Sequence, residues 1–549
     1  MDTSMAYSYG IAASLGISSH LLYFIRGEHH TQALRILQLS LVLPVVSVTA
    51  LCQFGQYSVI SAVQTTACVA LSYVGSLWTS MIIYRLFFHP LRKFPGPPLA
   101  KVSKLYHVLC CRKPDNHRVK ARWHERYGDF VRIGPNELSV ISPTAQTTIL
   151  GPKSRCLKSG WYDYVKNQPL ESLHAARDVQ THDARRRVWD RGFSIKALRD
   201  YEVRVLKYGN ELVEGLSSLS RQPTKASEWF SYYSFDVMGD LAFGQSFDML
   251  KRGETHTAIH LLHNGMAPLA MLAPVVWVIP VLAALPSYLK PSIAKGFDTF
   301  IAWCAEQVER RRRMKLEIPD ITSWLLTDLE TSQQHPKEAL KWLHGDARLI
   351  VVAGADTVAA TLTPLFYHLA ADPTLVEKLR AEIKTIWKEG TPFNVWDFQN
   401  ADYLNGVINE TLRLHPAVPS GVQRLTPPEG VTIDGVFVPG DVNIMVPNWA
   451  IGRSPKIYPS PHAFLPSRWS TQPELITHRT AFAPFSLGPF GCIGRNLALM
   501  ELRTVVCLLV SRLDVRLAEG EDGTELRENS KDLFTMCCGE VRLVFEERG

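Results

Sequence analysis

The ten residues from Phe485 to Gly494 read Phe-Ser-Leu-Gly-Pro-Phe-Gly-Cys-Ile-Gly and are the most informative stretch of this chain. They place one cysteine, Cys492, in a glycine-rich loop directly before an apolar helical stretch that begins at Asn496. Glycine permits backbone angles that other residues avoid, and it allows a flat ligand to approach closely. The amides at the start of the helix are expected to lower the pKa of Cys492. The loop therefore predicts a thiolate that binds a metal.

A lone cysteine in such a loop is more often an ordinary buried residue, so the prediction needs support from elsewhere. Ala353 to Thr357 (Ala-Gly-Ala-Asp-Thr) lies in a stretch that is apolar on nearly every side, which predicts a buried helix. Buried polar groups such as Asp356 and Thr357 need a partner or a chemical task. The alternative is a threonine that bonds only within its own helix.

Two further stretches concern ion pairs. Glu410 and Arg413 are three residues apart in a predicted amphipathic helix that stops before Pro416. This spacing alone is a weak signal, because an exposed pair of this kind is common and stabilises little. Downstream, Phe464 to Trp469 (Phe-Leu-Pro-Ser-Arg-Trp) adds another arginine, Arg468, ahead of Cys492.

In their order along the chain, these four stretches resemble the motifs of the cytochrome P450 family. The haem-binding signature F-x-x-G-x-R-x-C-x-G is matched by Phe485, Gly488, Cys492 and Gly494, whereas Phe490 replaces the usual arginine. The resemblance covers the chain from Phe94 onward and implies a mainly α fold with small β-sheets, preceded by N-terminal transmembrane helices. The style of the motifs resembles fungal enzymes of secondary metabolism, in particular the tryprostatin hydroxylase-like branch.

The resemblance also implies roles for these residues. Cys492 would be the axial ligand of the iron of haem b, and the Thr357 hydroxyl, with water, would deliver protons to dioxygen. Asp356 would be the longer-range proton source. Glu410, Arg413 and Arg468 would form a buried structural network behind the haem.

The replacement of the signature arginine by Phe490 leaves the two haem propionates in need of other cations. The resemblance points first to Arg186 and Arg424 and then to His182, since arginine forks suit carboxylates. A neighbouring set is expected to face outward, where an acidic reductase would dock; it comprises Arg185, Arg187 and Arg495.

The N-terminal part of the chain is built for a membrane. No charged residue occurs from Ile36 to Tyr84, and a membrane helix needs roughly 20 apolar residues. We predict an anchor at 1–88 with three crossings at about 5–25, 36–54 and 58–84, a proline-rich hinge at 89–98, and one haem-thiolate monooxygenase domain at 99–549. The positive residues near the crossings place that domain in the cytoplasm, on a multi-pass protein of the endoplasmic reticulum membrane.

Composition excludes some classes of protein. The ten cysteines show neither a secreted disulfide pattern nor paired C-x-x-C motifs, which also disfavours a zinc protein. The net charge of +7 is not accompanied by a nucleic-acid-binding motif, so no nucleic-acid partner is expected.

The function implied by the resemblance is insertion of one oxygen atom of dioxygen into a lipophilic small molecule, in secondary-metabolite biosynthesis. Electrons would come from NADPH through a separate cytochrome P450 reductase. The pocket would be roofed by the apolar, proline-broken stretch Met266 to Leu285 and lined by Ala417, Val418, Ser420, Val422 and the turn at 534–536. Two alternatives remain: a haem-thiolate isomerase or dehydratase that does not use dioxygen, and a non-catalytic membrane haem protein.

Overall fold

Helices make up most of the molecule. The computed structural model describes residues 3–165, 171–286, 288, 292–315, 319–331, 336–388 and 390–548. Its helices are α1 (Thr3–Ser19), α2 (Ala33–Gln53), α3 (Val59–Ile83), α4 (Pro98–Val102), α5 (Lys104–Cys110), α6 (Asn116–Tyr127), α7 (Ala145–Leu150), α8 (Val179–Gly192), α9 (Ile195–Ser218), α10 (Ala226–Phe243), α11 (Met249–Arg252), α12 (Thr257–Leu272), α13 (Val278–Ala283), α14 (Ser292–Arg312), α15 (Ile321–Thr331), α16 (Pro336–Ala371), α17 (Pro373–Ile386), α18 (Asp402–Leu414), α19 (Asn448–Ile451), α20 (Arg495–Arg512) and α21 (Thr524–Glu528).

The strands are short. They are β1 (Phe130–Gly134), β2 (Glu137–Val140), β3 (Leu157–Lys158), β4 (Pro223–Lys225), β5 (Gln423–Leu425), β6 (Val431–Ile433), β7 (Val436–Val438), β8 (Asn443–Met445), β9 (Leu513–Leu517), β10 (Lys531–Leu533), β11 (Thr535–Cys537) and β12 (Arg542–Glu547). The largest sheet has the order β1-β2-β8-β5-β3, and the others are β4-β12-β9, β6-β7 and β10-β11. The predicted mainly α fold with small sheets is confirmed.

The long helix α16 runs through the centre of the core. It packs against α10, and the backbone of Gly354 lies so close to Met238 of α10 that an added Cβ would come within 2.5 Å of its methyl group. A side chain at this position would therefore displace the end of the Met238 side chain. The helix α20, which follows Cys492, is buried along most of its length in the same core.

Two of the three predicted membrane crossings coincide with helices that are long and apolar enough to span a bilayer. These are His30–Gln53 and Val59–Phe88, and large side chains of α2 such as Leu41 and Val45 are exposed. A third apolar helix, Lys337–Ala371, is largely buried inside the protein and belongs to the core. The first predicted crossing is helical, as α1 and a π-helical turn over His20–Phe24, and it packs along α3, where Tyr73 Oη donates to Ser19 Oγ at 3.0 Å.

The connection between α1 and α2 contacts the large domain. Glu28 pairs with Arg177 at 2.9 Å, and His30 Nε2 lies 2.8 Å from Asp163. Arg177 also contacts Asp163 directly, so the four side chains form one cluster. The beginning of the chain is thus attached to the domain at a second place, separate from the hinge.

The predicted hinge is packed rather than free. Phe94 is buried in a cluster with residues of β2 and β8, and Arg132 N of β1 donates to Pro95 O at 2.7 Å. The buried Arg132 side chain donates to Arg85 O at 2.9 Å and to Pro135 O at 2.6 Å. These bonds tie the end of the anchor to the first sheet.

The apolar stretch Met266 to Leu285 does not form one straight helix, as its prolines predict. The helix α12 ends at Leu272, a 3-10 turn covers Ala273–Val275, and α13 follows. Met266 and Ala273 of this stretch line a cavity that adjoins the one at Cys492.

Candidate functional site

A cavity of about 280 Å³ separates α16 from the loop that carries Cys492. Its walls are mainly apolar, and Ala353, Thr357 and Cys492 all line it. Residues more than 130 positions apart in the chain therefore meet across one enclosed space. In this arrangement the two most informative sequence motifs can act on the same ligand.

The Cys492 loop has a defined shape. Gly488 adopts φ +65°, and an added Cβ there would lie 2.6 Å from Leu150 O, so glycine is needed for both conformation and space. The turn Gly488–Phe490 is 3-10 helical, and Cys492 N donates to Phe485 O at 2.8 Å. These contacts hold Cys492 at the end of the loop, two residues before Gly494 caps α20.

The thiol of Cys492 faces this interior cavity and not bulk solvent. Burial raises the pKa of the Cys492 thiol, whereas the amide of Gly494, the charge of Arg186 and the amide of Arg495 lower it. The predicted fall in pKa is therefore wrong for the metal-free protein, because loss of hydration outweighs the helix amides. A coordinating metal removes the proton outright, so the thiolate would be formed by binding.

Asp356 and Thr357 are adjacent in α16 but point in different directions. Thr357 lines the cavity, and its hydroxyl donates to Ala353 O at 2.7 Å. The helix is continuous at this position. Asp356 turns toward α12 and β11, with Oδ2 at 3.5 Å from the Thr535 hydroxyl.

His263 of α12 is a partner of Asp356 that sequence reasoning missed. Its Nε2 lies 3.0 Å from Asp356 Oδ1. Burial alone would lower the pKa of His263, but the charge and hydrogen bond of Asp356 together raise it above its ordinary value. The two residues are 93 positions apart, and no local pattern links them.

The cations predicted for the propionates surround Phe490. Arg424 lies over the Phe490 ring at 5.1 Å, and His182 meets it edge-on with 4.6 Å between ring centroids. Arg186 lines the same cavity and donates to Gly491 O at 2.7 Å. The phenylalanine that replaces the signature arginine is thus placed among the three side chains expected to compensate for it.

Lys158 is a fourth cation at this place and was not expected. In the sheet it is paired with Arg424, because β3 and β5 are neighbours, and its ammonium lies 5.1 Å from the Phe490 ring centroid. It donates to Leu173 O and His174 O at 3.0 and 2.8 Å. Burial, followed by the charge of Arg424, lowers the pKa of Lys158 to about 7.

Arg185 does not face outward, so its predicted place on a docking surface is wrong. It pairs with the buried Asp346, and also with Asp328 at 2.9 Å. Asp346 further accepts from Trp189 Nε1 at 2.9 Å. The next residue but one, Arg187, is exposed, as is Arg495.

Glu410, Arg413 and Arg468 form a fully buried network. Glu410 binds Arg413 with two bonds of 2.8 Å and Arg468 with one of 3.0 Å. Its remaining acceptor positions receive Trp469 Nε1 at 3.0 Å and Leu465 N at 2.8 Å. The alternative of a solvated surface pair does not apply, because all three side chains are inaccessible to solvent.

A family model described as cytochrome P450 matches residues 95–537. The chain belongs to the cytochrome P450 family. Since that match covers the cavity, the Cys492 loop and the buried network, this P450 has its family's haem iron chemistry and takes electrons from a redox partner.

Several curated proteins are similar to this P450 over its full length. Cytochrome P450 monooxygenase notG' of Aspergillus versicolor is 40% identical, over 100% of this chain and 99% of its own. Tryprostatin B 6-hydroxylase of Aspergillus fumigatus is 39% identical, over 100% of this chain and 98% of its own. Cytochrome P450 monooxygenase lcsK of Purpureocillium lilacinum is 36% identical, over 100% and 99%. The chain is a haem-thiolate monooxygenase of the fungal secondary-metabolism type, and the isomerase and non-catalytic alternatives are not favoured.

The cavity suits a haem in its chemistry. The Cys492 loop supplies a thiol at the cavity wall, and cationic side chains collect around Phe490 of the same loop. The buried Arg424 Nε has no hydrogen-bond partner among the described residues, which is expected of a group that awaits a carboxylate.

Proposed function

We propose that this P450 oxidises a lipophilic small molecule of a secondary-metabolite pathway, by inserting one oxygen atom of dioxygen. Cys492 would supply the thiolate that binds the iron of haem b. Arg186, Arg424 and His182 would hold the propionates, with Lys158 beside them. The meeting of Cys492 and Thr357 across one cavity is the observation that carries this proposal.

Haem with a thiolate ligand supplies an oxidant strong enough to attack an unactivated C–H bond. The residues of the chain contribute position and protons. Thr357 presents its hydroxyl at the cavity wall, and Asp356, one residue away, is paired with His263. To serve as a proton source, the Asp356 carboxylate would first take a proton from the His263 imidazolium and then pass it toward Thr357.

Electrons come from NADPH through a separate cytochrome P450 reductase. Arg187 and Arg495 are exposed, and they are the chain neighbours of Arg186, which contacts Gly491, and of Gly494 in the Cys492 loop; they offer positive charge to an acidic partner. Arg185 is not part of this surface, since it is engaged by Asp346.

The protein is a multi-pass protein of the endoplasmic reticulum membrane with its catalytic domain in the cytoplasm. We assign the anchor to 1–88, the joint to 89–98 and the catalytic domain to 99–549. The ion pairs of Glu28 and His30 with the domain support an α1–α2 connection on the cytoplasmic side, which is where three crossings would place it.

The ligand assignment is tested with Cys492→Ser. We expect the variant to lose the carbon monoxide difference band typical of a thiolate ligand, because serine does not supply a thiolate. NADPH consumption that depends on a lipophilic compound should disappear with it. Cys507→Ser, a buried cysteine of α20, is the matched control and should retain the band. Retention of the band in Cys492→Ser would refute the assignment.

A further inference from the structure

A second cavity of about 220 Å³ adjoins the Cys492 cavity. The two share lining residues, among them Ala353, Gly421, Phe534 and Thr535. A molecule that lies in the second cavity can therefore extend one end toward Cys492. The chemical group that binds in the second cavity therefore determines which part of the molecule lies near Cys492 for oxidation.

One side of the second cavity is apolar. Helices α12, α14 and α16 and the turn before α13 supply this wall, with Leu262, Met266, Ala270, Pro274, Phe300 and Val352. Such a surface favours the burial of a hydrocarbon or aromatic body, at roughly 25 cal/mol per Å² of apolar area.

Polar side chains also line the cavity, and Lys120 of α6 is the one that matters most here. Lys120 is only 3% exposed, yet it lines the cavity. Among the described residues its ammonium hydrogen bonds to Ser420 O, over a long 3.4 Å. An ammonium has three donors, and leaving donors unused in a buried site is costly.

The neighbouring groups are already engaged. Asp532 accepts from Ser420 Oγ at 2.5 Å and from Phe534 N at 3.2 Å. Lys104, the other lysine of this cavity, is paired with Glu137. Burial lowers the pKa of Lys120 to about 8, against the opposing charge of Asp532, so the side chain still carries its proton near neutral pH. Lys120 is thus a charged donor in need of an acceptor.

We propose that Lys120 recognises the substrate of this P450 by donating to an oxygen acceptor, a carbonyl or a carboxylate, on a molecule whose lipophilic body lies along the apolar wall. This inference rests on the proposed function and narrows its substrate class. The oxygen-bearing end is held at α6, so oxidation takes place at a part of the molecule remote from that oxygen.

Three probes with one ring system test the proposal: naphthalene, 2-acetylnaphthalene and 2-naphthoate. Equilibrium dialysis measures their Kd for the full-length haem protein in nanodiscs, with empty nanodiscs as the blank. We expect the wild type to bind at least one oxygenated probe about tenfold or more tighter than naphthalene, since a hydrogen bond to a charged group contributes on that order. Preference for the ketone identifies a carbonyl, and preference for the acid alone identifies a carboxylate.

In Lys120→Met the preference should disappear while naphthalene binding stays the same, and Lys120→Arg should restore much of it. Lys196→Met, on the exposed face of α9, should behave as the wild type. Absence of any preference in the wild type would overturn the proposal without reference to a variant. Equal losses for all three probes in Lys120→Met would overturn it as well, because they would indicate a packing effect.

Dialysis requires neither electrons nor dioxygen, so its result is separate from the test of the proposed function. If Cys492→Ser retained the thiolate band while the wild type preferred the oxygenated probes, only the proposed monooxygenase roles would be refuted. If Cys492→Ser lost the band while the wild type showed no probe preference, only the role of Lys120 would be refuted.

Discussion

The proposed role of Thr357 can be tested directly by mutation. Its hydroxyl donates a hydrogen bond to Ala353 O within the helix, and the residue also lines the cavity. Alanine is the best helix former, so Thr357→Ala should keep the helix and the haem. We expect product formed per NADPH to fall several-fold, with the difference appearing as hydrogen peroxide, because the proton donor at the cavity wall is lost.

The control for this substitution is Thr363→Ala. Thr363 makes the same type of bond within α16, to Ala359 O at 2.8 Å, but it is buried away from the cavity. Simultaneous assays of NADPH, product and peroxide compare the two variants. Identical coupling in Thr357→Ala and the wild type would contradict the proposed proton delivery.

At the scale of elements, the link between α18 and the segment 464–469 depends on one carboxylate. Replacing Glu410 by leucine leaves Arg413 and Arg468 buried without their anionic partner. Removing one member of a buried ionic network costs about 3–5 kcal/mol. Glu410→Leu should therefore lower the midpoint of urea unfolding strongly, as followed by tryptophan fluorescence, or abolish haem incorporation.

The chain contains a matched control for this change. Glu309 and Arg312 of α14 are also three residues apart and 2.8 Å apart in space, but their side chains are 39% and 37% exposed, and Glu309 also contacts His344 at 3.2 Å. Because an exposed pair contributes about 0–1 kcal/mol, Glu309→Leu should hardly move the unfolding midpoint. Similar shifts for the two variants would show that burial of the network is not what makes it important.

On the scale of the whole molecule, buried histidines predict sensitivity to acid. Burial lowers the pKa of His89, His124 and His368 to about 4, in three separate parts of the fold. The unfolded chain takes up protons near pH 6.5, whereas the folded protein keeps these rings neutral until about pH 4. Stability is therefore fully present above pH 6.5 and is lost as the pH falls toward 4.

Thermal unfolding measured between pH 7.5 and 4.5 tests this expectation. The Tm should decline below pH 6.5, and His368→Phe should flatten the decline, since a phenyl ring can keep the stacking on Phe464 without titrating. The exposed His462→Phe serves as the comparison and should leave the curve unchanged. A Tm independent of pH across this range would contradict the assignment of neutral buried rings.

Local sequence was sufficient for the fold class, the apolar spans and the motif residues at the cavity. Cys492 and Gly488 could be identified because a glycine loop before a helix is a short-range pattern. The helices α2 and α3 could be identified because a long apolar composition is a property of the segment itself. Glu410 and Arg413 lie within one helical turn, so their spacing already placed them on one face.

The remaining features depend on contacts between residues distant in the chain. Lys158 lies beside Phe490 because β3 pairs with β5. Arg185 points inward because it forms an ion pair with the buried Asp346. His263 contacts Asp356 only because α12 packs over α16. Burial is also a property of the whole fold, which is why the pKa of the Cys492 thiol moved against the local expectation. Propensity and spacing act over a few residues, whereas desolvation and charge pairing are decided by the neighbours that tertiary packing brings together.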